Sequence, residues 1–228
     1  MKEAVRLISS LDKDLLEILL LSLKVNLLAL TIACLISLPF GAALGILRFP
    51  FRGTIIVIIN SLMSLPPVVV GLIVYIYLSR TGPLGWLGLL YTPTAMIIAQ
   101  VILIAPIITS LSCQIIEDLH NEYRDLFSSL VVPKSKAILA YLVDSRHSLM
   151  TVILAGLGRG LSEVGAVVIV GGNIDHLTRV MTTAISLETS KGNLPLALAL
   201  GFILLVIALS INFLGSFIKN YARDKAYV

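Results

Sequence analysis

The chain has 228 residues, of which 57% are hydrophobic and 13% charged, with a formal net charge of +4. A soluble domain carries about 25% charged residues, so an ordinary water-soluble fold is excluded, and no polar block is large enough for a second domain. The small positive excess forms no basic stripe of the kind that binds nucleic acid; it matches the bias of loops on the inner side of a membrane protein.

In chain order, Met1 to Leu20 sets Ala4, Leu7, Ile8, Leu11, Leu15 and Ile18 at helical spacing. Glu3, Asp12, Asp14 and Glu17 fall inside what a cleavable signal peptide would keep apolar. The pattern predicts an amphipathic interfacial helix over residues 1–22. A membrane-crossing helix needs about 20 mostly apolar residues. Five segments qualify: Leu23 to Leu47, Thr54 to Leu78, Pro93 to Ser112, Leu149 to Gly172 and Leu194 to Ile218. The expected domain runs over 23–218, followed by a tail at 219–228.

Lys and Arg set the orientation. Arg48 and Arg52 lie in an acid-free loop, Arg124, Lys134, Lys136 and Arg146 lie between spans three and four, and Lys219, Arg223 and Lys225 lie in the tail. Placing these in the cytoplasm predicts an outside N-terminus and an inside C-terminus.

The segment 113–147 is the one stretch with a soluble character. Ile116, Leu119, Tyr123, Leu126 and Leu130 recur at steps of three and four, one stripe of a helix. Pro133 stops that helix. Ser135 is placed to cap a second one, Lys136 to Asp144, with a stripe of Ile138, Leu139 and Leu142. Two short helices around a bend either cover helix ends or offer a grip to a partner outside the membrane.

Within the spans, Pro66 and Pro67 interrupt the second segment; each removes a backbone donor. Irregular backbone at that depth belongs in protein contacts or beside a water-filled cavity. Ser61, Ser64 and the freed carbonyls near Leu65 are therefore pathway or gate candidates, against a plain packing kink. Arg159 and Glu163, four apart, share a helix face. At that depth they read as an intramembrane ion pair, costly unless matched. The outer loop 173–193 carries Arg179, Thr182 and Thr183, placed either to meet an anion or to dock a binding protein.

No phosphate-cradling Gly-x-x-x-x-Gly-Lys run occurs. There is no Gly-x-Ser-x-Gly elbow, and His120, His147 and His176 are scattered. The expectation is a transporter subunit with no catalytic or metal site and no cofactor. Cys34 and Cys113 read as apolar fillers.

Glu122-Tyr123-Arg124-Asp125-Leu126-Phe127-Ser128-Ser129-Leu130 with its bend resembles the coupling loop of ABC importer permeases, although Val131 stands where a Gly is expected. More specifically, Ser64-Leu65-Pro66-Pro67-Val68-Val69-Val70-Gly71, Leu90-Tyr91-Thr92-Pro93-Thr94-Ala95-Met96, Gly158-Arg159-Gly160-Leu161-Ser162-Glu163-Val164-Gly165-Ala166 and Gly171-Gly172-Asn173-Ile174 resemble the permeases of tungstate ABC importers. The resemblance covers nearly the whole chain from Leu21 onward. It implies an all-α type I importer permease of the methionine- and molybdate-permease kind, with five transmembrane helices, acting as a homodimer in the cytoplasmic membrane. It also implies separate ABC ATPase subunits that bind ATP and Mg, and an external oxyanion-binding protein. Glu122, Tyr123, Arg124, Asp125, Leu126, Phe127, Ser129, Leu130, Pro133 and Ser135 would contact the ATPase. The alternatives are a molybdate or other tetrahedral-oxyanion permease and, of a different class, an ATP-independent channel or secondary carrier.

Overall fold

The computed structural model describes residues 13–131 and 133–226. Among these residues all regular structure is helical. The elements are α1 (Lys13–Ile46), α2 (Arg52–Leu62), α3 (Pro67–Leu78), α4 (Pro93–Ser129), α5 (Lys134–Asp144), α6 (Arg146–Leu161), α7 (Gly165–Gly171), α8 (Met181–Ser190) and α9 (Leu194–Ala226), with a 3₁₀ turn at Gly85–Leu87. Three helices, α1, α4 and α9, are long and apolar enough to cross a membrane, and two bent helix pairs bring the total to as many as five.

α1 and α4 form the central pair. Along α1, Ala29, Ala33, Ser37, Gly41 and Gly45 recur every fourth residue, and all are buried. Such a row of small residues lets two backbones approach closely, which is how helices associate where no hydrophobic drive separates protein from solvent. A Cβ added to Gly41 would lie 2.7 Å from the Thr109 carbonyl oxygen and would collide with the Ser112 hydroxyl. Pro39 sits on the exposed side, and α1 runs through it unbroken. α4 likewise runs through Pro106.

The core is layered along this pair. Val25 meets Val70, Val74, Met96, Ala166 and Val167 near one end. Ala29 and Ala33 meet Ile104, Ile108, Val152 and Leu157 in the middle. Ala42 and Ile46 meet Ile116, Ala137 and Tyr141 at the other end. The outer faces stay apolar and exposed, as at Leu35, Ile36, Leu72, Ile73, Leu198, Phe202 and Phe213. With lipid as the solvent this is the expected finish of a bundle.

Four expectations change. There is no helix boundary at residue 22, because residues 13–22 continue directly into the span as part of α1; residues 1–12 of the expected interfacial helix lie outside the described residues. The third span and the first helix of segment 113–147 are one continuous α4, since neither Gly nor Pro falls between Pro106 and Pro133 to stop it. The span expected over Leu149 to Gly172 is broken between Leu161 and Gly165, after the poor helix formers Gly158 and Gly160. The outer loop 173–193 contains a ten-residue helix, α8.

Candidate functional site

Three groups of polar or strained residues stand out, one at each end of the bundle and one at the interrupted spans. At the first end, α4 projects past the core and turns back into α5 through Leu130 to Pro133. Val131 takes φ 51, the left-handed conformation that a Gly would adopt freely. It ends α4 as a helix-terminating residue, with its side chain 85% exposed. α5 begins at Lys134 with Pro133 in the cap position, two residues before the expected start. Ser135 therefore lies within the first turn; its side chain is outside those described.

The apolar stripe differs from the expected one. Ile116, Leu119, Tyr123 and Phe127 face the core, whereas Leu126 and Leu130 are exposed. On α5 the inward residues are Ala137, Ile138, Tyr141 and Leu142, and Leu139 is exposed. The spacing puts Leu126 on the stripe; aromatic packing puts Phe127 there instead. Tyr141 is fully buried, stacked on Tyr123 (6.5 Å, 22°), tilted against Phe127 (5.0 Å) and edge-on to His120. Its hydroxyl and His120 Nδ1 share a 3.0 Å hydrogen bond. Neither residue was singled out by its pattern, because a Tyr in an amphipathic helix gives no sign of which neighbours it will meet. Glu122, Arg124, Asp125, Leu126, Ser129, Leu130 and Pro133 all lie on the exposed surface. A groove of about 630 Å³ runs beside them, with Arg48, His120, Asn121 and Tyr141 in its wall.

Beneath this element the Arg residues of the α1–α2 loop converge on α4. Glu117 accepts from Arg48 at 3.1 Å and from Arg52 at 2.7 Å, and Arg52 Nε donates to the Leu44 carbonyl at 2.7 Å. The loop residues thus fasten α1, α2 and α4 together, a role that charge counting could not reveal.

The second group lies where two spans are broken. α2 and α3 meet at 100° across Met63 to Pro66. Ser64 N–H bonds the Ser61 carbonyl and Leu65 N–H bonds the Leu62 carbonyl, both at 3.2 Å, so part of the freed backbone is recaptured locally. Ser61 bonds its hydroxyl to the Val57 carbonyl; Ser61, Ser64 and Pro66 are exposed, and Pro67 opens α3 half-buried. The half-helices beyond the two breaks, α3 and α7, pack on each other. A Cβ on Gly71 would fall 2.7 Å from the Ala166 Cα, and one on Gly165 would fall 2.9 Å from the Val68 side chain.

Arg159 and Glu163 do not share a helix face, because Glu163 lies past the end of α6. Their ion pair spans 3.8 Å, with Glu163 3% and Arg159 30% exposed. Glu163 is held by shorter contacts: Ala166 N–H donates to its carboxylate at 3.1 Å, and the Thr182 hydroxyl donates to its carbonyl at 2.8 Å. Thr183 is buried and closes the start of α8 through Val180. Around the break sit polar side chains that sequence reading passed over. The Ser22 hydroxyl accepts from Met181 N–H at 2.8 Å, Asn26 donates to the Ser22 carbonyl, and Gln100 reaches the Gly160 carbonyl at 3.5 Å.

At the far end, Arg179 donates to Asp175 at 2.6 Å, so its charge is matched within its own loop. His176 Nδ1 donates to Glu17 at 2.9 Å, tying that loop to the start of α1. The neighbouring carboxylates, Glu17 first, hold the His176 pKa above the ordinary histidine value. Among the described residues no cluster of His, Cys, Asp and Glu is suited to a metal ion.

Comparison with known proteins decides the family. The chain is 41% identical over 211 residues to a tungstate uptake system permease protein of Peptoclostridium acidaminophilum, covering 92% of each chain. It is 39% identical to a probable anion ABC transporter permease protein of Haloferax volcanii, over 89% of each chain. It is 37% identical to a tungstate uptake system permease protein of Campylobacter jejuni, over 96% of this chain and 92% of that one. The chain belongs to this family of anion ABC transporter permeases. No family model matches it. As an ABC permease it is a multi-pass protein of the cytoplasmic membrane and a transporter subunit, not an enzyme. The broken spans of this permease have a natural sense: two half-helices locked face to face by Gly71 and Gly165, with irregular backbone at membrane depth beside them.

Proposed function

We propose that this permease carries tungstate into the cell as the membrane subunit of a binding-protein-dependent ABC importer. The observation that carries the reading is the 41% and 37% identity, over nine-tenths of the chain or more, to permeases of tungstate uptake systems. Five crossings per chain, with the bent pairs α2–α3 and α5–α6 each contributing one, put Lys13 outside and the end of α9 inside. The acid-free Arg48 to Arg52 loop then faces the cytoplasm, in keeping with the excess of Lys and Arg there. Of the expected domains, the permease at 23–218 with its loop 113–147 and the tail at 219–228 are kept as a working division, while residues 13–22 are counted with α1.

Two copies of the chain would enclose the path at a twofold axis. Two ATPase subunits, which bind the ATP and Mg, grip the exposed surface of Glu122 to Pro133, and an external oxyanion-binding protein delivers cargo at the His176 end. Closure of the ATPases moves the end of α4 and α5 as one body, and the hinges at the broken spans turn that movement into alternating access. Ser61, Ser64, Pro66 and Pro67 remain the gate candidates; Arg179, Thr182 and Thr183 are the weaker ones, because Arg179 is paired with Asp175 and both threonine hydroxyls are already engaged.

The test is ATP-driven uptake of labelled tungstate into vesicles holding the permease, its ATPase and its binding protein, with molybdate and sulfate as competitors. Saturable uptake that unlabelled tungstate suppresses at the lowest concentration is expected. Uptake suppressed best by another oxyanion would overturn the substrate assignment.

A further inference from the structure

We propose that the half-open cavity between α1, α2 and α4 is an oxyanion station on each protomer, flanking the cytoplasmic half of the path. The inference rests on the importer reading above and adds to it a place where cargo pauses. The cavity holds about 320 Å³, room for a tetraoxyanion that keeps part of its water shell. Asn60 of α2 and Thr109, Ser110, Gln114 and Glu117 of α4 line it, against aliphatic walls. Polar side chains gathered on the face of a membrane bundle are expensive unless wetted or partnered, and by default they mark a route for ions or substrate.

The donors are disposed to receive an acceptor. The Ser110 hydroxyl donates to Asn60 Oδ1 at 2.5 Å. With its oxygen engaged in that way, the Asn60 carboxamide keeps both N–H donors, and no hydrogen bond among the described residues uses them. Gln114 is exposed in the same cavity and is likewise unengaged among the described residues. Neutral amide and hydroxyl donors bind an oxyanion without the grip of a full countercharge, which suits a site that must also release. The one acid in the lining does not repel the cargo outright. Glu117 is met by both Arg48 and Arg52, and two guanidiniums against one carboxylate leave one net positive charge at the floor.

The wall formed by α2 is also movable. None of its residues is buried. It starts at Phe51, which is in the left-handed region at φ 67, and it ends at the break before Pro66. Between those hinges it is fastened by Arg52 to Glu117 and by Asn60 to Ser110. An anion that takes the Ser110 hydroxyl donor competes with the second fastening, so arrival of cargo and release of α2 are linked.

The test reads retention and uptake separately on the permease–ATPase complex in lipid nanodiscs and vesicles. In nucleotide-free complex without the binding protein, equilibrium dialysis against tungstate with metal analysis should show saturable retention. Gln114→Glu and Asn60→Asp, near-isosteric changes that set a carboxylate in the cavity, should each weaken it at least tenfold while the ATPase still copurifies. Gln114→Glu is the decisive variant, because Gln114 is exposed and holds no partner whose loss would unfold the chain. Retention by Gln114→Glu equal to that of the parent, or uptake by a parent complex that retains no tungstate, overturns the station alone. A parent complex that neither retains nor imports any oxyanion overturns the importer reading and this site with it.

Discussion

At Val131 a β-branched side chain occupies a left-handed backbone position. That conformation costs an L-residue about 1–2 kcal/mol, and Gly would return roughly 0.5–1 kcal/mol of it as extra freedom in the unfolded chain. Val131→Gly should therefore stabilise the bend by about 0.5–1 kcal/mol, seen as a higher apparent melting temperature of the solubilised protein; a lower one would show that Val131 makes contacts worth more than its strain. Glu163 makes the opposite case. Its carboxylate satisfies Ala166 N–H at 3.1 Å, while the Arg159 pair is stretched to 3.8 Å. Glu163→Ala should cost about 1–3 kcal/mol by orphaning that donor, and Glu163→Gln, which keeps the oxygen, should cost clearly less. Equal losses would put the ion pair first. At His176 the raised pKa means that the Glu17 contact contributes fully below the ordinary histidine pKa of about 6.5 and is lost as pH rises through the folded value. An NMR titration should find the His176 pKa falling back toward the ordinary value in Glu17→Gln; an unchanged pKa would rule the contact out as its cause.

At the scale of elements, α4 and α5 act as a unit because Tyr141 is clamped among Tyr123, Phe127 and His120. Tyr141→Phe removes one hydrogen bond, about 1 kcal/mol; Tyr141→Ala opens a cavity and should cost about 3–5 kcal/mol. Thermal unfolding separates the two, and the larger loss should also release α5 to proteolysis. The α3–α7 contact is as tight. Gly71→Ala drives a methyl into the Ala166 backbone and should cost about 1–3 kcal/mol. How much of this was legible depends on the signal each element leaves. Pro66 and Pro67 announce the first break, since proline chemistry is local. The second break was less plain: Gly158 and Gly160 weaken the helix, but what fixes the turn is the buried Glu163 carboxylate meeting Ala166 N–H at the start of a seven-residue helix, a tertiary arrangement. The continuity of α4 was hidden in turn by Glu117, Asp118 and Glu122: their charges marked the end of the apolar span, although the helix read over Ile116 to Leu130 is the same one running on. The small-residue row from Ala29 to Gly45 was in plain view, but only α4 packed against it explains its period of four.

For the molecule as a whole, the proposed function makes the bundle a passive conduit whose movement originates outside the membrane. Leu126 and Leu130 are 54% and 63% exposed at the projecting end of α4, one turn apart, and they contribute little to the permease's own core. A surface of this kind persists when a partner covers it. The most direct test of the account is ATP-driven oxyanion uptake by the reconstituted importer carrying Leu126→Asp and Leu130→Asp. The account predicts a permease that inserts and dimerises as before, fails to hold its ATPase and imports nothing. Undiminished uptake by that variant, or import by the permease alone without ATP hydrolysis, would contradict it.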